Sequence, residues 1–345
     1  MKKYSLLILI LFINCSFSKL TEIQYRNEFT AWMTSNQRTY ASSEFTNRYN
    51  TFKSNLDFIN QWNSKGSKTV LALNEFADIS NEEYRKNYLR NDNNINKLSS
   101  LLINDKEDKE IKSSSSSGSG SSGIDWRKKG AVPSVKSQIG GCGSWPITAV
   151  GATESAHFLA NPKDPFISLS MQNLIDCSNL NKQCYQGTVN EAFQYIIENG
   201  GIDSEESYKF SGGEPGKCKY NSSNSVAKIT SYEKVKSGSE SSLESAVSLK
   251  PVAAYIDASL SSFQFYSSGI YYEPSCNSTD LNHSILIVGF SDFSTTPTDS
   301  LKHSSNYWIV QNSFGKNWGE NGYIFMSKDR DDNCGISKMA SYVIV

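Results

Sequence analysis

Histidine is scarce in this chain: three residues in 345, His157, His283 and His303. So few imidazoles argue against a His-rich metal centre. The cysteines form no CxxC pair, which weakens a zinc site further, and no cofactor or metal is expected. An excess charge of either sign is also missing, with 34 basic against 35 acidic side chains. Neither a phosphate backbone nor an anionic lipid surface would meet a counter-patch, so no nucleic-acid partner is expected. Beyond the N-terminus no apolar run approaches membrane-spanning length; Ser284 to Phe290 is long enough only for a strand.

What is present suffices for a core. Apolar residues make up 38% and aromatics 12%, and the length suits about two domains. The first residues are directional: Lys2 and Lys3, an apolar run from Leu6 to Ile13, then Ser16-Phe17-Ser18 in a small-x-small pattern. That order predicts a secretory signal over 1–18, hence the secretory route to a lysosome or the outside. Cys15 leaves with the signal. Cys142, Cys177, Cys184, Cys218, Cys276 and Cys334 remain, an even set that reads as three disulfides in an oxidising compartment, with 15 pairings open. Asn221-Ser222-Ser223 and Asn277-Ser278-Thr279 are glycosylation acceptors if exposed; Asn282-His283-Ser284 fits the same pattern but lies among the site candidates.

Residues 19–96 are polar and helically periodic. Glu44, Arg48, Phe52, Asn55, Ile59 and Asn63 fall on one stripe of a single helix. So mixed a stripe predicts a helix braced by ion pairs and docked on another surface. Ser80 with Glu83 three residues on predicts a capping box. Residues 97–122 change character, with a charge cluster over 105–112 and then only Ser and Gly. They predict a flexible, protease-accessible linker. From 123 to 345 the pattern is globular. Thr188 to Gly200 is an amphipathic helix with a cap at one end and a glycine stop at the other. Strands are expected at Val252–Ile256, Ser284–Phe290, Tyr307–Val310 and Tyr323–Met326. Helices first and strands later give an α+β protein with segregated halves.

Three segments carry chemistry. His283 opens an apolar strand. Asn312 follows another strand and leads into a glycine-rich turn, and an amide behind an imidazole fixes its tautomer. Gln138 to Trp145 is a glycine-rich loop entering a helix expected over about 146–159. A nucleophile at such a helix start gains from the helix dipole, and a nearby Gln can donate to an oxyanion.

With these residues the chain resembles a papain-family, cathepsin L-like cysteine protease precursor over essentially its whole length. The stripe from Glu44 to Asn63 matches the family's propeptide helix. Asn74, Phe76 and Asp78 match the second propeptide motif, with Ala72 where a glycine is usual, and Asp125-Trp126-Arg127 resembles the start of the mature enzyme. The resemblance implies a papain-like two-lobe fold, a helical left lobe and an antiparallel barrel-like right lobe, preceded by a helical inhibitory propeptide. It implies His283 as catalytic imidazole, Asn312 as its orienting amide and Gln138 as oxyanion donor. It also implies Gly187, Thr188, Val189, Tyr255, Leu281 and Met339 lining the substrate cleft, and the disulfides Cys142–Cys184, Cys177–Cys218 and Cys276–Cys334. Tyr255 stands where a small residue is usual, which predicts a narrow or partly filled pocket. Phe314 stands where a Trp shields the Asn–His bond.

One departure governs function. The family places its nucleophilic Cys directly before the Trp, and here that residue is Ser144. Either Ser144 replaces the nucleophile, or the nucleophile is deleted and an extra residue lies near Ile139; both remove the thiol. In the family, Cys and His form a thiolate–imidazolium pair with a Cys pKa of about 3–4. A serine hydroxyl needs instead a neutral His283 acting as general base during attack. A Cys142 bound in a disulfide offers no substitute. The expectation is an impaired peptidase homologue that binds peptides, protein partners or protease inhibitors in its cleft, besides its own propeptide. The alternative is a working endopeptidase.

Overall fold

A computed structural model of the protein describes residues 19–90, 123–138, 142–179, 181, 184, 187–291 and 306–345. The signal, the linker over 97–122, His303 and the Ile139–Gly141 stretch lie outside these residues.

The N-terminal unit is built on α1 (Glu22–Ser35) and α2 (Ser42–Asn63), then β1 (Thr69–Leu71) and α3 (Asn81–Tyr88). A capping box of Thr21 and Gln24 starts α1, and its Phe29 and Trp32 pack on Tyr49 and Phe52 of α2 in a small core of their own. The α2 stripe is a docking face, as expected, but its braces lie outside the helix. Arg48 pairs with Glu83 of α3 at 2.6 Å, Asn55 donates to the carbonyls of Ala77 and Ile79, and Asn63 both donates to and accepts from Leu71. The capping box expected at α3 is half made. The Ser80 hydroxyl accepts from Glu83 N–H, while the Glu83 carboxylate is drawn to Arg48, a charged partner stronger than a backbone N–H.

After β2 (Gly123–Asp125) come the helices α4 (Ser144–Ala160), α5 (Met171–Cys177) and α6 (Val189–Asn199). Helix α4 begins two residues before the expected start, so Ser144 is its first residue, after Gly143 at the cap position. It is buried on nearly all sides, and its small residues let it approach the sheet; a Cβ at Gly151 would stand 3.2 Å from Leu286. Helix α6 follows its pattern: the Thr188 hydroxyl accepts from Glu191 N–H and Gly200 closes the end at φ 74°.

The remaining strands are β3 (Ile202–Asp203), β4 (Ser225–Ala227), β5 (Ser231–Lys234), β6 (Val252–Ile256), β7 (Tyr266–Tyr271), β8 (His283–Ser291), β9 (Tyr307–Gln311), β10 (Tyr323–Ser327) and β11 (Ala340–Ile344), with α7 (Glu240–Leu249) before β6. The large sheet runs β1-β7-β10-β9-β8-β6-β11-β5, with β2 on β8. Its pairs are antiparallel except β7 with β10. The N-terminal unit is therefore not purely helical: β1 extends this sheet by pairing with β7. One apolar core fills the sheet half and includes Phe76, Tyr84 and Leu89 of the N-terminal unit; a second lies between α4, α6 and the sheet's other face. Disulfides join Cys142 to Cys184, Cys177 to Cys218 and Cys276 to Cys334.

Candidate active site

Where α4 meets β8 and β9, the sequence candidates converge. His283 is the first residue of β8, and Asn312 directly follows β9, whose Gln311 pairs with Leu286 of β8. His283 Nε2 lies 2.7 Å from Asn312 Oδ1. That oxygen also accepts from Ser313 N–H at 2.8 Å, which fixes the amide orientation. Nε2 must then carry the proton, and Nδ1 bears a lone pair. Nδ1 is buried with no hydrogen-bond partner among the described residues. Burial pushes the His283 pKa down to about 4, and the Asn312 bond opposes this in part. The ring is a neutral base through the physiological range.

Phe314 covers the pair. Its ring centroid lies 5.0 Å from that of His283, and Phe263 and Trp318 complete an aromatic wall. His283 is 1% exposed, so the smaller Phe excludes water here.

Gln138 is anchored by its backbone N–H to Ser313 O and by its Oε1, which accepts from Ser313 Oγ. Its amide Nε2 donates to Tyr88 O at 2.8 Å, so a backbone carbonyl of the N-terminal unit already occupies this donor. Residues 87–90 fill the groove between Gly143–Trp145 and Tyr255, Asn282 and Ser284, leaving a cavity of about 20 Å³. Arg90 N–H donates to Asn282 O, and the Arg90 guanidinium reaches Gly187 O at 3.4 Å.

On the helical side stands Ser144. Its Oγ accepts from Ser284 N–H at 3.0 Å and from Ser284 Oγ at 2.8 Å. Thr148 Oγ1 donates to Ser284 Oγ at 3.1 Å. Sequence reasoning missed Ser284 and Thr148. The one available signal was a hydroxyl directly after His283 in an otherwise aliphatic strand. All six described cysteines are in disulfides.

The pocket candidates also gather. Val189, Tyr255 and Leu281 are buried together, with Met339 packed against them. The Tyr255 hydroxyl accepts from Val189 N–H at 2.8 Å, and burial pushes its pKa up to about 12. Thr188 turns its hydroxyl to the helix cap. Gly187 faces Trp145 so closely that a Cβ would overlap the indole. Asn221 and Asn277 are exposed, whereas Asn282 is buried and donates to Asp257. Among the described residues no cluster of three His, Cys, Asp or Glu could hold a metal, and no helix is long and apolar enough to cross a membrane.

Comparison with known proteins agrees with this geometry. Residues 121–344 match the papain family cysteine protease model, and residues 29–84 match the cathepsin propeptide inhibitor domain. Cysteine proteinase 5 of Dictyostelium discoideum is 48% identical over 352 residues, covering 99% of this chain and 98% of its own. Procathepsin L of Rattus norvegicus is 37% identical, covering 98% and 99%. Among solved structures, a recombinant stem bromelain precursor aligns with a TM-score of 0.80 at 32% identity over 93% of this chain and 99% of that one. Procathepsin L 3 of Tenebrio molitor larval midgut gives 0.77 at 33% identity, with the same coverage. The residues in the groove follow directly on the inhibitor-domain match, whose Phe76 and Tyr84 pack against Phe314 beside the site, and the chain belongs to the papain family of cysteine proteases.

Proposed function

We propose that this precursor is a peptidase homologue impaired in catalysis, whose cleft works by binding peptides, protein partners or protease inhibitors. In this reading 1–18 is a signal peptide, 19–96 the propeptide, 97–122 a cleavable linker and 123–345 the peptidase domain. Ser144 stands at the nucleophile position, beside His283, Asn312 and Gln138, with Gly187, Thr188, Val189, Tyr255, Leu281 and Met339 around the bound ligand. The protein enters the secretory route, carries glycans at Asn221 and Asn277, and resides in a lysosome or outside the cell.

The observation that carries this reading is the Ser144 hydroxyl at the start of α4, bonded to the residue after His283. No described cysteine is left as a thiol. A neutral hydroxyl does not form the ready-made anion that a thiol forms beside an imidazole. To test it, the precursor is acidified to release the propeptide and assayed with a fluorogenic dipeptide and an epoxide thiol reagent. We expect no turnover above that of Ser144→Ala and no label on Cys142. Turnover that Ser144→Ala abolishes, or covalent label at Cys142, overturns the reading. N-terminal sequencing of the released form should start within 113–125.

A second reading, a working endopeptidase, is favoured by the intact His283–Asn312 pair and by relatives named as cysteine proteinases. The same assay decides between them.

A further inference from the structure

We propose that Ser284 is a positioning residue that holds the Ser144 hydroxyl away from His283 Nδ1. The inference rests on the reading of Ser144 given above and adds a second obstacle to the missing sulfur. A hydroxyl has two acceptor lone pairs and one donor proton. Both lone pairs of Ser144 Oγ are taken by a single neighbour, the backbone N–H and the hydroxyl of Ser284, at 3.0 and 2.8 Å. The Ser284 hydroxyl is itself oriented: Thr148 Oγ1 donates to it at 3.1 Å, which leaves its own proton for Ser144. Thr148 is 2% and Ser284 1% exposed, so water does not compete for the bond between them, whereas Ser144 is half-buried.

Opposite lies the counterpart. Nδ1 of His283 is a buried acceptor with no donor among the described residues, and its lone pair is assigned by the Asn312 and Ser313 contacts to the other side of the ring. A buried acceptor left bare is unfavourable. It persists because the hydroxyl is gripped elsewhere. Serine-type attack would require this O–H to donate to Nδ1 and pass its proton there; the grip of Ser284 prevents that contact before any substrate arrives.

The test uses the full chain at pH 7, labelled with ¹⁵N-histidine. The chain has only three histidines, so the imidazole signals are few. In the unaltered protein, the His283 Nδ1 resonance should sit at the position of a free, unprotonated ring nitrogen. In Ser284→Ala it should move upfield as Ser144 turns to donate, and in Ser284→Ala with Ser144→Ala it should return. The Nε2 signal, held by Asn312, should stay and so report a folded site. Ser284→Cys, close in size and a weaker donor, should move Nδ1 in the same direction by less, and it serves if the alanine variant misfolds. An unmoved Nδ1 in both Ser284 variants overturns the proposal, as does a shift that survives removal of Ser144. Because the readout is a resonance and not turnover, hydrolytic activity would defeat the binding function without touching this result.

Discussion

The β-sheet wall of the cleft and its helical wall are held by different chemistry. On the sheet side, His283, Asn312, Ser313 and Gln138 form one connected set of hydrogen bonds behind an aromatic shield of Phe263, Phe314 and Trp318. Every contact there serves to orient an imidazole or an amide donor. On the helical side, the hydroxyls of Ser144 and Thr148 both bond to that of Ser284 on β8, and none of the three bonds to the imidazole among the described contacts. One side thus orients and shields a base, while the other ties its hydroxyls to each other. Propeptide docking depends on the first wall, since Gln138 holds Tyr88 O, and Phe314 packs edge-on against Phe76 and Tyr84. That wall therefore has a use even without hydrolysis.

The largest expected effect comes from making the second wall match the first. Ser144→Cys places a thiol at the α4 start, where the helix dipole and a nearby base favour its anion. In the propeptide-free protein, dipeptide hydrolysis should rise by about 10³-fold or more over the unaltered chain, given the size of triad effects elsewhere. Steady-state assay with active-site titration checks this. If Ser144→Cys gains nothing, the thiol was not the missing piece.

Removing the shield strikes the sheet side. Phe314 is 1% exposed and touches His283, Phe76, Tyr84 and Trp318. Phe314→Ala should cost about 3–5 kcal/mol in urea unfolding of the full chain. It should also raise the His283 pKa, because burial is the main cause of its depression. A ¹⁵N titration that leaves this pKa in place would show that Phe314 is not the shield.

Acid should act on the same wall in a defined window. His283 titrates near 6.5 when unfolded and at about 4 when folded. The folded state therefore binds fewer protons, and its stability falls as pH drops through that interval. The depression is worth about 3 kcal/mol, fully present above pH 6.5 and lost by pH 4. Unfolding free energies at pH 7 and pH 4 should differ by that much more in the unaltered chain than in His283→Gln. Equal differences in the two proteins would place the acid sensitivity elsewhere.

Much of this was legible in the residues. Thr188 to Gly200 spells its helix, cap and stop, and β6 has its expected bounds, Val252 to Ile256. His283, Asn312 and Gln138 stand in motifs whose strands and turns the structure reproduces. Helix α1 is equally legible: Thr21 with Gln24, then Tyr25, Phe29 and Trp32 at helical spacing. Other features depend on distant partners. Glu83 fits a capping box locally, and only the approach of Arg48 from α2 diverts it. Strand β7 runs Tyr-Ser-Ser-Gly-Ile-Tyr, without clean alternation, because it lies between β1 and β10. Ser284 reads as one polar residue in an apolar strand until the fold brings Ser144, 140 positions earlier, against it.

The smallest expected effect tests whether the helical wall is closed by packing or by one bond. Tyr255, expected to narrow the pocket, is buried and satisfies Val189 N–H with its hydroxyl. Val189 is the first residue of α6, where the helix itself offers its N–H no partner. Tyr255→Phe keeps the ring and removes only the acceptor, leaving a buried donor bare, at a cost of about 1 kcal/mol in urea unfolding. The ring should stay in place, since it belongs to the same buried core as Leu281 and Val189. Tyr255→Ala, by contrast, should open the pocket. Peptides bearing leucine at the residue facing that pocket should then bind more tightly to the propeptide-free protein than those bearing alanine, by roughly the 10–200-fold that hydrophobic pockets discriminate. If the phenylalanine variant alone gains that preference, the hydroxyl bond and not the ring keeps this wall closed.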